Sequence, residues 1–403
     1  MIIIAISIIV SIFTTIFLRN RKLGKEKILN VYSSPGKWYL IKYLTMLILF
    51  QLRNLSSKLK PGKAGIGYGT KKLEDIEKLQ PLSQEKKAFD AVFYQGVNSS
   101  GYYFAGGIER RPNSKVNGLV YLLVPELGLL ESESLPKTEL NADETENSFA
   151  GGGISFTPVV PMKKWDIYYK GRMWLGPESN KTWYNVELKA EFTSDMPHFV
   201  VDSDADKKCL ARAIARETWT KEFFKTLEKS HQTHYEQMGN ITGKVIINEK
   251  EHILNLQGFR DHSFGHQRDW TLLHRYIFHM LYLENDVRIC IGVISQPCTI
   301  SHFEIGYVLN PKTKEIHPVQ RADLKLYQHG EDGEPPKSIA FTFNANDDKY
   351  DCKIDYLPYN GVHYKGNDIE AKLIERFFVG EVNGVKCRGV SEWHYNNVGT
   401  YTK

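Results

Sequence analysis

Within thirteen residues, Gly258-Phe-Arg-Asp-His-Ser-Phe-Gly-His-Gln-Arg-Asp-Trp270, the chain places Arg260, Asp261, His262, His266, Arg268 and Asp269. So many ionisable groups beside Phe259, Phe264 and Trp270 must face solvent or pair with one another. An Asp next to a His beneath an apolar cavity can supply a proton donor whose pKa is set by burial and by the carboxylate. In that reading His262 is the donor and Asp261 orients it. The competing reading is a charge network that pins the strand entering a second domain, and this is the role expected of Arg260, Arg268 and Asp269.

Other chemistries lack their residues. Nine of the thirteen histidines lie between His231 and His317, yet their spacing does not suit a metal. Gly265 and a strand context separate His262 from His266, His274 and His279 fall on opposite faces of a strand, and there is no HExxH pattern. The chain also lacks a GxxxxGK[ST] loop, a GxSxG elbow and a GxGxxG turn opening a helix, so phosphoryl transfer and nucleotide-dependent redox chemistry are disfavoured. No metal and no cofactor are expected. The five cysteines never form a CxxC pair and are odd in number, which reads as reduced, buried thiols.

The elements that must position these groups read as strands. With 22 Tyr, 20 Phe and 7 Trp in 403 residues, the composition favours aromatic-rich β-structure. Val186, Leu188, Ala190 and Phe192 alternate with charged residues, the period of a strand with one buried face. Hairpins are expected around Asn248-Glu249-Lys250, Glu284-Asn285-Asp286 and Asn383-Gly384, with a further strand ending at Asn310-Pro311. One helix, about 204–227, interrupts the pattern, and the acidic stretch Glu131 to Glu146 reads as a solvated loop. The expected fold class is all-β: two tandem antiparallel barrels or sandwiches over 86–250 and 251–403, with one inserted helix. Trp165, Phe264, Trp270, Tyr276, Phe278 and Tyr282 are the aromatics expected to line a hydrophobic ligand site.

The N-terminal region reads as a membrane attachment. Met1 to Leu18 carries no charge and is followed by Arg19, Arg21 and Lys22, the pattern of an uncleaved transmembrane helix with the remainder of the chain cytosolic. The endoplasmic reticulum is the expected membrane. The basic arm, 19–85, concentrates eleven Lys and Arg against one acid between residues 19 and 63, a net +10 that leaves −5 for the rest. That asymmetry points to anionic lipids as partner and gives no reason to expect nucleic acid. An apolar stretch from Trp38 to Leu52, interrupted by Lys42, suits an interfacial helix, with a core helix docked on the globular part as the alternative.

The run Gly258 to Trp270 resembles the GxRDHSWGxRDW signature of a group of bacterial and invertebrate proteins that includes the N-terminal region of phosphoenolpyruvate-synthase-like proteins. Further matches are Ala88-Phe-Asp-Ala-Val-Phe-Tyr94, Ile108-Glu-Arg-Arg-Pro112, Pro161-Met-Lys-Lys-Trp165 and His234-Tyr-Glu-Gln237. The kinase chemistry of those proteins belongs to later domains, so it is not expected here. More distantly, Asp261-His262 with Phe264-Gly265 resembles the DHNWG motif of carotenoid hydratases, which share a tandem lipocalin-like fold with fungal survival-factor proteins and Diels–Alder cyclases. The resemblance implies a lipocalin-like fold and a catalytic role for His262. Phe264 stands where the hydratases have Trp, which removes an N–H donor and a large π face. The functions expected from these readings are binding of a hydrophobic small molecule (terpenoid, carotenoid or lipid) at the cytosolic face, a cofactor-independent isoprenoid hydratase, isomerase or cyclase using His262, or a non-catalytic scaffold.

Overall fold

A computed structural model describes residues 26–59, 73–366 and 369–397 of the 403-residue chain. The first sheet contains β1 (Phe89–Val97), β2 (Tyr103–Arg111), β3 (Lys115–Val124), β4 (Gly128–Ser132), β5 (Glu139–Asn141), β6 (Phe149–Gly151), β7 (Ile154–Val160), β8 (Lys164–Leu175), β9 (Thr182–Thr193), β10 (His198–Val200), β11 (Thr233–Ile247) and β12 (Lys250–Gly265). Antiparallel pairings run β9-β11-β12-β1-β2-β3-β4-β8 and return to β9, so the sheet curls into a ring. Its narrowest seam is β4 against β8, where Glu131 pairs with Trp174 and Ser132 with Met173.

The second unit is a closed eight-stranded antiparallel barrel. Its strands are β13 (Arg275–Leu283), β14 (Arg288–Gln296), β15 (Ile300–Asn310), β16 (Glu315–Ala322), β17 (Ser338–Ala345), β18 (Asp348–Lys365), β19 (Ala371–Val382) and β20 (Val385–Asn396). Asn383 and Gly384 take φ of 49° and 80°, the doubly left-handed turn that matches strand twist. Asn248 and Glu249 do the same, with φ of 44° and 72°, and join β11 to β12. Along β9 the expected alternation is present, with Val186, Leu188, Ala190 and Phe192 all buried.

Three apolar layers result. One fills the first ring around Tyr94, Phe156 and Trp165, and one fills the second barrel around Ile277, Phe341, Phe378 and Trp393. The third is a seam between the two, where Tyr103, Tyr121 and Phe259 meet Met280, Tyr282, Tyr307 and Phe377. Strands at the seam are thus covered on both faces, which is why β13 reads Arg-Tyr-Ile-Phe-His-Met-Leu-Tyr-Leu without polar alternation.

Several expectations need correction. The boundary between units falls between Gly265 and Arg275, because β11 and β12 pair along their whole length and both belong to the first sheet. The single helix over 204–227 is three: α3 (Val201–Asp204), α4 (Lys207–Arg216) and α5 (Lys221–Lys229), after α1 (Tyr39–Leu59) and α2 (Leu73–Ile76) earlier in the chain. The break between α4 and α5 is built by Glu217, whose carboxylate accepts hydrogen bonds from the Ser301 N–H at 2.9 Å and from the Ser33 hydroxyl at 2.8 Å. Asp206 and Thr220 then cap the two helices. The acidic stretch is no free loop, since Glu131 and Ser132 lie in β4 and Glu139–Asn141 forms β5. Four thiols are buried, but Cys298 is exposed.

The N-terminal arm contributes to both cores. Val31 and Tyr32 join the core of the second barrel, and Glu77, just past α2, enters the first ring. The proposed span Met1–Leu18 lies outside the described residues. Among the described residues no helix is long and apolar enough to cross a membrane.

Candidate functional site between the barrels

Strand alternation divides β12 into two sets. Arg260, His262 and Phe264 point into the first ring, whereas Phe259, Asp261 and Ser263 point toward the second barrel. The inward set is a sealed polar network. Arg260 donates to both carboxylate oxygens of Glu77 at 2.9 Å, and Glu77 also accepts from the Trp165 indole and the Met162 N–H, each at 2.9 Å, and from the Tyr235 hydroxyl. Burial works against the charge on Glu77, but the Arg260 guanidinium and these donors hold its carboxyl below its ordinary range. His262 lies 2.9 Å from the Tyr235 hydroxyl through Nδ1 and 2.7 Å from Asp90 through Nε2, and Asp90 is in turn held by Arg110 at 2.7 Å.

His262 is fully buried and is not among the residues lining the cavity between the barrels. Asp261 cannot orient it, because adjacent strand residues face opposite ways; Asp90 does so. Trp165 and Phe264 share its side of the strand, where they pack around His262 at ring separations of 6.4 and 5.1 Å. Tyr282 is buried in the packed seam. Of the expected ligand-lining aromatics, the structure brings Trp270, Tyr276 and Phe278 together at one cavity.

That cavity, of about 340 Å3, opens between the two barrels. Phe93, Phe259 and Leu119 of the first sheet face Phe278, Met280 and Phe303 of the second across it, with Trp270 at one side. Polar groups enter from both walls. On the first wall Asp261 is half-buried, and its carboxyl is pushed up to about 6, by burial above all and further by Glu236 and Glu392, against the pull of His234 and Arg268. His234 lies 2.5 Å from the Ser263 hydroxyl and 3.0 Å from Glu236. Burial opposes its charge, but the Glu236 hydrogen bond and the Asp261 carboxylate outweigh this and raise its pKa.

On the opposite wall the Tyr276 hydroxyl donates to Glu392. Glu375 pairs with Glu392 across β19 and β20, and burial together with that neighbour pushes its carboxyl well above the usual carboxylate range. The Tyr276 ring stacks on His394 at 4.8 Å, and Trp270 stacks on the same imidazole at 5.7 Å. Arg268 and Asp269 also border the cavity. Arg268 bonds Glu109 at 3.0 Å and lies 3.8 Å over the Phe89 ring, while Asp269 pairs with Lys87 at 2.6 Å. Both tie the segment between the barrels to the first unit, Arg268 to β2 and Asp269 to Lys87 just before β1.

His234, Glu236, Glu375 and Glu392 were not among the expected site residues. His234-Tyr-Glu236 did carry a signal, because residues two apart on a strand share a face. Glu375 and Glu392 carried none, since their pairing depends on register. Together these groups offer an acid near neutrality, a hydrogen-bonded imidazole and a phenol in a largely apolar chamber, a set suited to moving protons on a hydrophobic molecule. Among the described residues no group of three or more His, Cys, Asp or Glu is placed to hold a metal ion.

The chain belongs to a family of unknown function (DUF8627), whose profile matches residues 5–395. No curated protein sequence matches it. Among solved structures it is similar to a protein assigned as AttH from Nitrosomonas europaea, at 10% identity and a TM-score of 0.50, over 76% of this chain and 92% of that one. It is also similar to kievitone hydratase from Nectria haematococca, at 11% identity and a TM-score of 0.49, over 80% and 95% of the two chains. A third is CghA with Sch210972, at 9% identity and a TM-score of 0.47, over 77% and 89%. At 10% identity the likeness to the first of these concerns fold alone, an all-β architecture.

Proposed function

We propose that the chamber between the barrels binds a compact hydrophobic small molecule, with its polar end at Asp261 and His234. The observation that carries this reading is the chamber itself: about 340 Å3, walled by Phe93, Phe259, Phe278 and Phe303, with a few convergent polar groups. Apolar side chains pack the core of each unit, around Tyr94 and Trp165 in the first and Phe378 and Trp393 in the second, which favours the seam as the ligand site. The volume lies near the lower end of ligand pockets, roughly 300–1,000 Å3. It favours a small terpenoid over a long carotenoid, whose chain would have to project from the seam. Titration with an environment-sensitive hydrophobic dye tests the reading. Saturable binding that Phe278→Ala weakens while the fold is kept supports it, and binding unchanged by that substitution rejects the site.

A second reading, a cofactor-independent hydratase, isomerase or cyclase, draws on Asp261. A carboxyl that titrates near 6 inside an apolar chamber is matched to donating and accepting protons at neutral pH. In this version Asp261 is the acid–base group and the resemblance-derived role for His262 becomes one of positioning the strand. Asp261→Asn that leaves product formation unchanged in a folded protein rules this version out.

A further inference from the structure

Helix α1 is apolar on nearly all sides, which in a globular protein implies that every side is covered. One side is: Tyr43, Met46, Leu47 and Phe50 pack on Ala211 and Ile214 of α4 and on Phe223 and Leu227 of α5. The other side is not covered by this chain's described residues. Leu44, Ile48 and Leu52 form a row at four-residue spacing with Leu49 beside it, and each is about half exposed. Of the fourteen large apolar side chains that are exposed among the described residues, these four and Trp38 fall within fifteen positions. Phe224 of α5 is exposed as well, with its ring 5.4 Å from Trp219, over which Lys42 sits at 5.6 Å.

We propose that this outer face of α1 seats on an anionic lipid bilayer. Charge selects that occupant over a second copy of the chain. The segment 19–63 carries a net +10 while the remainder carries −5, so the apolar row lies within the chain's one strongly cationic region, and Lys37, Lys42 and Arg53 belong to α1 or its approach. An apolar row within a cationic region matches a surface of acyl chains beneath anionic headgroups. The placement also bears on the chamber. Ile300 packs against the α1–α4–α5 layer and lines the chamber between the barrels, as does Ser230 at the end of α5. The chamber thus borders the helical layer that faces lipid. The seating does not depend on what the chamber binds.

The full chain, with Ile48→Cys in a Cys298→Ser background and a nitroxide on the new thiol, tests this in vesicles containing phosphatidylserine. Collision with dissolved oxygen and with an aqueous nickel chelate is compared with a control label at Lys208→Cys, an exposed position on α4. The label at position 48 is expected to favour oxygen several-fold more than the control does, and to lose that contrast in vesicles of phosphatidylcholine alone. Free access by the nickel chelate overturns the proposal. So does a label sealed from both reagents without vesicles, which would mean that a second copy or the chain's own N-terminal run covers the face. Equal contrast in both vesicle types overturns the anionic assignment.

Discussion

Asp261 and His262 are consecutive residues of β12 whose side chains end in different compartments, Asp261 in the chamber between the barrels and His262 in the sealed interior of the first ring, 2.7 Å from Asp90. The pair that looks like a catalytic dyad in sequence is divided by the plane of the sheet. Substitutions at the two positions therefore have different expected consequences.

His262→Ala is expected to cost stability. It removes a fully buried ring surrounded by Phe149, Trp165 and Tyr235 and takes one hydrogen bond from Asp90, which keeps Arg110, and one from Tyr235, which keeps Glu77. A buried deletion of this size with lost hydrogen bonds costs about 2–5 kcal/mol. Urea denaturation checks it; wild-type stability in the variant would contradict the buried placement.

Asp261 has the opposite effect on stability. Its carboxyl titrates near 6 in the folded protein against 3.8 in an exposed chain, so the folded state binds this proton more tightly. Stability from this group is lost as pH rises from about 4 to about 6, and the penalty is complete above that. At about 1.4 kcal/mol per pH unit it reaches roughly 2–3 kcal/mol as an upper bound. Asp261→Asn is accordingly expected to raise the denaturation midpoint at about pH 8 and to change it little at about pH 4. Equal effects at both values would contradict the assignment.

The Glu77–Arg260 pair closes the first ring from an element 183 residues away in sequence. Arg260→Leu leaves a buried carboxylate unpaired and is expected to cost about 3–5 kcal/mol. Glu77→Leu with Arg260→Leu is expected to cost much less than the two single changes added together. A double-mutant cycle measures the coupling, and additive losses would show that the pair does not act as a unit.

Phe278→Ala removes one aromatic wall of the chamber, which is expected to weaken binding of a hydrophobic probe by about 1–3 kcal/mol, or roughly 5- to 150-fold. Calorimetry or dye displacement reads this directly. Tyr282→Phe, at a buried seam position away from the chamber lining, is expected to leave probe affinity unchanged.

Much of the fold was legible because its signals are local. Asn383-Gly384 announces a two-residue turn, and the alternation of Val186 to Phe192 announces one buried face, so hairpins could be placed without tertiary information. The unit boundary was less legible, since nothing in Thr233 to Gly265 marks this long hairpin as belonging to the first sheet. The site suffered from a related ambiguity. Strands at the seam are buried on both faces, and Arg-Asp-His-Ser contains polar residues facing both ways, so period-two reading could not say which face holds the chamber. Glu77 was invisible because a Glu among Glu74, Asp75 and Lys78 looks solvated until its partner Arg260 is located. Glu375 and Glu392 became neighbours through the register of β19 and β20.

The most direct test is mass spectrometry of the natively purified chain and of its organic extract, comparing wild type with Ala91→Phe, which intrudes on the chamber from β1. The account predicts a compact apolar molecule bound in stoichiometric amount to the wild type and lost from the folded variant. An apolar molecule retained in full by the variant, or none in either protein and no uptake of added terpenoids, would contradict it.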